Sequence, residues 1–279
     1  MSGLKNIWDN IDVENMEISV EEPLSAVVSR IGRKSRKANL ALGSILIASS
    51  VALLAIVHYF YPEPVPEMLE CYVPFGEVRN LTLCDGTQVT LNSGTMFFYP
   101  EHFTGEKRTV YINGEGSFNV AKDAKHPFIV STSDFDVRVL GTVFDVSAYA
   151  GDPYSNVVLA EGSVQMTGNS FDTCLSVGQK AEFSRNEKSL TVKDVEVRDY
   201  FAWNDGGLVF RGAGIEEITK AIKRAYNVDV RYANQPKYTN ACITFKSYEA
   251  LTVKDFLLSL KPLIPGMRYS VDDTKVYLY

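Results

Sequence analysis

Residues 38–61 read ANLALGSILIASSVALLAIVHYFY, and the plan of the whole chain turns on this stretch. It holds no Asp, Glu, Lys or Arg. A helix needs about 20 apolar residues to span hydrocarbon, and 40–60 meets that length. Ser44, Ser49 and Ser50 can return their hydroxyls to the helix's own carbonyls. His58, Tyr59 and Tyr61 fall where an interfacial belt belongs. A core helix of a soluble domain would show a polar face, and none is visible. A cleaved signal peptide would carry ~7–15 apolar residues followed by a small-x-small site. This run is longer, starts late and leads into HYFYPEPVPEM. The expectation is one transmembrane helix at 38–61.

The flanks set its direction. Arg30, Arg33, Lys34, Arg36 and Lys37 crowd the N-terminal side, while Glu63, Glu67 and Glu70 follow the run, with no base until Arg79. Positive flanks stay in the cytoplasm. Residues 1–37 then form a short cytoplasmic tail, and everything after 61 lies on the far side of the bilayer. The tail carries two helical stripes. Leu4, Ile7, Trp8 and Ile11 follow the i, i+3, i+4, i+7 spacing, and Leu24, Val27, Val28 and Ile31 repeat it behind Pro23. Each is too short to be stable alone in water. Docking of the first stripe into a partner's groove is therefore expected, through Leu4, Ile7, Trp8 and Ile11. The second can lie on the membrane surface.

Beyond the membrane, the prolines of 62–71 predict an extended, semi-rigid stalk. The period then becomes two. Val110 and Ile112 alternate with Thr109 and Tyr111, and Val137 and Val139 flank Arg138. Asp85-Gly86 between 78–83 and 88–91 marks a hairpin turn. Short strands continue to about Val192, so 72–200 reads as an all-β domain. From Trp203 the pattern changes again. Strands at 208–210 and 228–232 flank a helix at 215–226, and a second unit follows: strand 243–245, helix 251–260, closing strands 267–271 and 275–279. Thr252 and Asp255 can cap the second helix, and Pro262 stops it. Residues 201–279 read as a small α+β domain with a mostly open sheet. The fold class is thus a mainly β ectodomain plus a small α+β domain behind a single transmembrane helix.

At this level of detail the residues resemble a known family. Leu83-Cys-Asp-Gly-Thr-Gln-Val-Thr-Leu-Asn92, Tyr99-Pro100, Phe103, Arg108, Gly114-Glu115, Phe118, Pro127-Phe128, Val139-Leu-Gly-Thr142, Phe144, Ala148-Tyr149 and Glu161-Gly162 are similar to the periplasmic domain of FecR-type anti-sigma factors of the Bacteroidetes-like kind. The segment from Trp203 resembles the C-terminal domain paired with it there, which is related to the secretin and TonB short N-terminal domain. The resemblance implies an inner-membrane protein that holds an extracytoplasmic-function sigma factor and receives a signal from the N-terminal signalling domain of a TonB-dependent outer-membrane transporter. It implies no cofactor, no catalysis and no direct nucleic-acid contact. This tail is shorter than the helical cytoplasmic domain that members often carry, and Cys84 stands where the pattern commonly has Pro. Some FecR-like proteins are cut at a Gly-Thr bond in the region of Gly141-Thr142, where a hydroxyl can attack the preceding carbonyl if the backbone is strained. The plainer reading of the pair is a strand residue beside a permissive glycine.

The remaining chemistry is sparse. A net charge of -6 lacks the basic face that nucleic acid needs. Cys71, Cys84, Cys174 and Cys242 all follow the membrane segment and form no C-x-x-C pair, so zinc is not expected; they permit three full disulfide connectivities between which sequence does not choose, and mostly free, buried thiols are expected. His58, His102 and His126 are scattered. Asp85 and Glu115 could be a carboxylate pair, but a turn Asp and a structural Glu explain them more simply. Two functional readings follow: a transmembrane anti-sigma transducer, or a membrane-tethered binding module for a glycan or envelope polymer. A sigma-factor gene next door would favour the first, an envelope operon without transport genes the second.

Overall fold

A computed structural model describes residues 25–26, 29, 43–44, 46–57, 67–232 and 242–279. The chain divides into two compact units, Met1–Pro64 and Val65–Tyr279. In the first, residues 46–57 are helical and exposed throughout, Leu46, Ile47 and Leu54 among them. Ser49 Oγ donates to the Leu46 carbonyl at 2.9 Å and Ser50 Oγ to that of Ile47 at 2.8 Å. The hydroxyls are thus spent on the helix's own backbone. Among the described residues, no helix is long and apolar enough to cross a membrane. Residues 38–42, 45 and 58–61, the stripe Leu4, Ile7, Trp8 and Ile11, and the bases Arg30, Arg33, Lys34, Arg36 and Lys37 lie outside the described residues.

The second unit opens with a β-sandwich. One sheet runs β1 (Met68–Tyr72), β4 (Met96–Pro100), β5 (Arg108–Asn113), β7 (Phe128–Ser131), β8 (Phe135–Val139), β11 (Val164–Gly168) and β12 (Phe171–Leu175). The other runs β14 (Ser189–Asp194), β13 (Gln179–Ser184), β10 (Tyr154–Glu161), β9 (Val143–Ser147), β6 (Glu115–Asn119), β3 (Gln88–Leu91) and β2 (Arg79–Thr82). Neighbours are antiparallel except β5 and β7. Alternation turns Val110, Ile112, Val137 and Val139 inward, onto a core of fully buried Phe97, Phe118, Phe128 and Phe144. The rings of Phe118 and Phe144 stack at 5.2 Å, which ties β6 to β9 from within. The Asp85-Gly86 turn joins β2 to β3 as expected, with Gly86 at φ +84°. β1 occupies part of the stretch read as stalk, because Cys71 alternates inward and is buried.

A helical linker, α1 (Arg198–Phe201) followed by a 3₁₀ turn (Ala202–Asp205), leads into the small lobe. There β15 (Leu208–Ala213), α2 (Ile215–Tyr226), β16 (Asp229–Tyr232), β17 (Ile243–Ser247), α3 (Val253–Leu260), β18 (Tyr269–Asp272) and β19 (Lys275–Leu278) follow in order. Ile215, Ile218 and Ile222 give α2 its buried stripe, which packs in one core with Phe256, Leu257 and Leu260 of α3. Thr252 caps α3 by accepting from the Asp255 amide at 3.2 Å. The single open sheet expected here is instead two small ones: β15 with β17, and β16-β19-β18. The cause is non-local. β16 pairs in parallel with the chain's last strand, β19, rather than with β17.

Candidate functional site

Two lobes joined by a linker meet along a seam lined with hydrogen-bonded and ion-paired polar side chains. The last turn of a helix leaves carbonyls without partners. In α2 the Arg224 carbonyl finds them on the sandwich: the Gly76 amide donates at 2.7 Å and Ser93 Oγ at 2.9 Å. The Arg224 guanidinium reaches Asp152 Oδ2 at 2.8 Å and lies 4.0 Å over the Tyr149 ring. Tyr149 Oη donates to the Ser93 carbonyl at 2.9 Å, and Lys220 Nζ to that of Gly151 at 3.0 Å. Burial raises the Tyr149 phenol, so it stays a donor. The loop at 149–153 is braced from behind by Arg185, which donates to the carbonyls of Tyr149, at 2.6 Å, and Asp152, and pairs with Asp134 at 2.8 Å.

The linker is pinned at both ends. Trp203 Nε1 donates to Asp145 Oδ2 of β9 at 3.2 Å. Asp199 accepts from Tyr248 Oη at 2.6 Å, from Lys246 Nζ at 3.0 Å and from Arg211. Burial pushes the Asp199 carboxyl up, but the hydrogen bonds from Tyr248, Lys246 and Arg211 outweigh it and hold the group below the ordinary range. Arg198 lies 4.0 Å over the Tyr248 ring.

A second cluster surrounds the Gly141-Thr142 pair, which links β8 of one sheet to β9 of the other. Asp85 accepts from the Thr87 amide at 3.0 Å and from Thr87 Oγ1 at 2.8 Å, and pairs with Arg108 at 2.6 Å. Arg108 also donates to the carbonyls of His126 and Ala121. These bonds fix the 120–127 loop, which in turn holds the pair: the Val120 amide donates to the Thr142 carbonyl at 3.0 Å, and the Asp123 amide to that of Leu140 at 2.9 Å. Gly141 sits at φ +146°, where a Cβ would come within 2.5 Å of Lys122 Cγ. Thr142 is buried and its Oγ1 donates to the Ser163 carbonyl at 2.9 Å. Asp85 is thus a turn residue, while Glu115 accepts from Asn92 Nδ2 at 2.5 Å.

All four cysteines are free, but only Cys71 is buried. Cys84, Cys174 and Cys242 are exposed, contrary to the expectation. The reason is their place: Cys84 lies beside a turn, Cys174 on the outward face of edge strand β12, and Cys242 just before β17. Among the described residues, no three metal-binding side chains converge. Sequence reading marks Trp203 only as the start of the second domain and does not point to Asp145, Asp152 or Arg224. The one available signal was an Asp between Phe144 and Val146 in an otherwise apolar strand.

Comparison with known proteins places this architecture in a class. Residues 72–165 match the model of the FecR protein family, and residues 207–278 match that of the FecR C-terminal domain. Two crystal structures of a candidate anti-sigma factor from Parabacteroides distasonis are similar to the chain. Each is 30% identical and covers 76% of it, with TM-scores of 0.72 and 0.71. The chain in turn covers 99% and 98% of theirs. No curated protein matches. The chain belongs to the FecR family of anti-sigma factors.

Proposed function

We propose that this anti-sigma factor is a single-pass inner-membrane transducer. Its N-terminal tail holds an extracytoplasmic-function sigma factor, and its two C-terminal lobes lie in the periplasm. There they answer the N-terminal signalling domain of a TonB-dependent transporter. The observation that carries the membrane part is the helix at 46–57, whose Leu46, Ile47, Leu53 and Leu54 are each more than 60% exposed. Apolar side chains all round a helix belong in lipid rather than water. The bases Arg30, Arg33, Lys34, Arg36 and Lys37 on one flank then put the N-terminus in the cytoplasm.

Leu4, Ile7, Trp8 and Ile11 are the proposed sigma-factor contact. The transporter contact is proposed for the small lobe, where β18 is an edge strand among the described residues and can take a further strand. Cleavage at Gly141-Thr142 is the proposed step in release, supported by the positive φ of Gly141. The decisive experiment immobilises residues 1–37 and identifies what they capture from cell lysate. Capture of a sigma factor supports the reading. Capture of none, with the sigma factor present in the lysate, overturns it.

A further inference from the structure

β9 turns Phe144 and Val146 into the sandwich core, so Asp145 between them points the other way, toward Trp203 of the linker that carries the small lobe. It is nevertheless only 1% exposed. Its carboxylate receives a hydrogen bond from Trp203 Nε1 at Oδ2, and Oδ1 is buried with no partner. No ion pair reaches it among the described residues. On β6, Ser117 stands opposite Asp145, and Glu115 stands opposite Ser147. Glu115 is therefore the diagonal neighbour on the same face, about 7–8 Å away between Cα atoms. Glu115 is partly buried, and its carboxylate accepts from Asn92 Nδ2.

One cation, Arg224, acts on Glu115, but it is already paired with Asp152, and no cation among the described residues acts on Asp145. Glu115 meets the Arg224 guanidinium of α2 and the Asp152 carboxylate of the 149–153 loop, and the Tyr149 phenol lies near both members of the pair. Lys180 pairs with Glu182 at 2.5 Å, Lys220 with Glu216 and Asp152, and Arg224 with Asp152. An anionic carboxylate buried without a cation costs several kcal/mol, and such a group takes up a proton instead. Burial first, and the charge of Glu115 second, drive the Asp145 carboxyl well above the usual range. Burial raises Glu115 as well.

We propose that Asp145 and Glu115 form a proton-loaded latch between the sandwich and the small lobe: closing the seam takes up a proton, and parting the lobes releases it. The sign follows from the direction of the shift. A group whose value is raised in the closed state stabilises that state fully below its open-state value and loses the effect as pH rises through the closed-state value. The closed seam is therefore favoured in acid and loosens in alkali. A load that draws the small lobe away meets less resistance at higher pH. This latch follows from the packing of β6, β9 and the linker, and stands apart from the sigma-factor reading.

Trp203 reports on it directly, because Trp8 is the one other tryptophan in the sequence. The test uses the full chain carrying Trp8→Phe, in detergent, with indole emission followed from pH 5 to 9.5. The emission of Trp203 is expected to move to the red as pH rises. Asp145→Asn keeps an acceptor for the indole but cannot titrate, and should give a flat profile. Glu115→Gln removes the charge that raises Asp145 and should move the midpoint to lower pH. A parent protein without the transition, or an Asp145→Asn protein that keeps it, overturns the latch. Should Asp145→Asn lose its fold by circular dichroism, Glu115→Gln decides alone: a lowered midpoint supports the latch, and an unmoved one overturns it.

Discussion

Arg224 of the small lobe and Asp152 of the sandwich meet at 2.8 Å across the seam, each with about a fifth of its side chain exposed. The same arginine stacks on Tyr149, so charge and ring contact act on one side chain. Removing one partner of a fully buried pair costs about 3–5 kcal/mol, and exposure reduces that. Arg224→Ala should therefore destabilise the chain by about 1–3 kcal/mol in urea unfolding. A double-mutant cycle with Asp152→Ala should return a coupling of about 0.5–3 kcal/mol. A coupling of zero would leave the seam resting on the Arg224 carbonyl and its donors Gly76 and Ser93.

Asp199 predicts an acid limit on the linker. Its carboxyl is held below the ordinary range in the folded protein by Tyr248, Lys246 and Arg211. A depressed group contributes stability that is present above its unfolded value and lost as pH falls through the folded one. The unfolded value of an Asp is about 3.9. Thermal stability should fall as pH drops below about 4, and part of that slope should vanish in Asp199→Asn. An identical slope in the variant would assign the acid loss elsewhere, with Asp134 and its partner Arg185 the next candidates.

Gly141 predicts a steric limit. At φ +146° an added Cβ would lie 2.8 Å from Lys122 Cα, a backbone atom that cannot step aside. Alanine at a left-handed position costs more than about 1 kcal/mol. Gly141→Ala should lower the unfolding midpoint, and an unchanged midpoint would show that the 120–127 loop yields easily. Thr142→Ala tests the bond itself. Intact mass should show a cut fraction in the parent and none in the variant. A single full-length species in both would mark the Thr142 hydroxyl as a purely structural donor to Ser163.

What could be read from sequence was local. The Asp85-Gly86 hairpin, the alternation of β5, the Ile215, Ile218 and Ile222 stripe of α2 and the Thr252 cap each depend on residues close together in the chain, and each is in the structure. The parallel pairing of β16 with β19 joins segments separated by a whole helix and two strands, and no periodicity encodes it. Asp145 illustrates the same limit for the candidate site. In β9 alternation places it on the face away from the core, and Trp203, returning from far along the chain, meets it there in a buried setting. Arg224 was visible as a base in the last turn of a helix, a common place for one. Its partner on a sandwich loop was not.

The tail prediction concerns one stripe of apolar residues in the sequence. Leu4, Ile7, Trp8 and Ile11 share helical spacing, and the aromatic anchor of such a stripe usually carries a large part of the binding energy. Trp8→Ala with Ile11→Ala should abolish co-purification of the sigma factor and leave membrane insertion unchanged. Retained co-purification would move the contact to the second stripe, at Leu24, Val27, Val28 and Ile31.

The last prediction concerns an open edge. β18 pairs on one side with β19, Val271 opposite Val276 and Ser270 opposite Tyr277, and carries Asp272 at its end. Charge on an edge strand guards it against indiscriminate pairing while leaving its amides free for a matched partner. If a transporter's signalling domain adds a strand here, the backbone of residues 269–272 should become protected from hydrogen exchange when that domain is added. The central β19, already paired on both sides, should not change. Protection confined to β15 or β17 would place the contact on the two-stranded sheet. Protection of neither sheet would exclude strand addition as the mode of recognition.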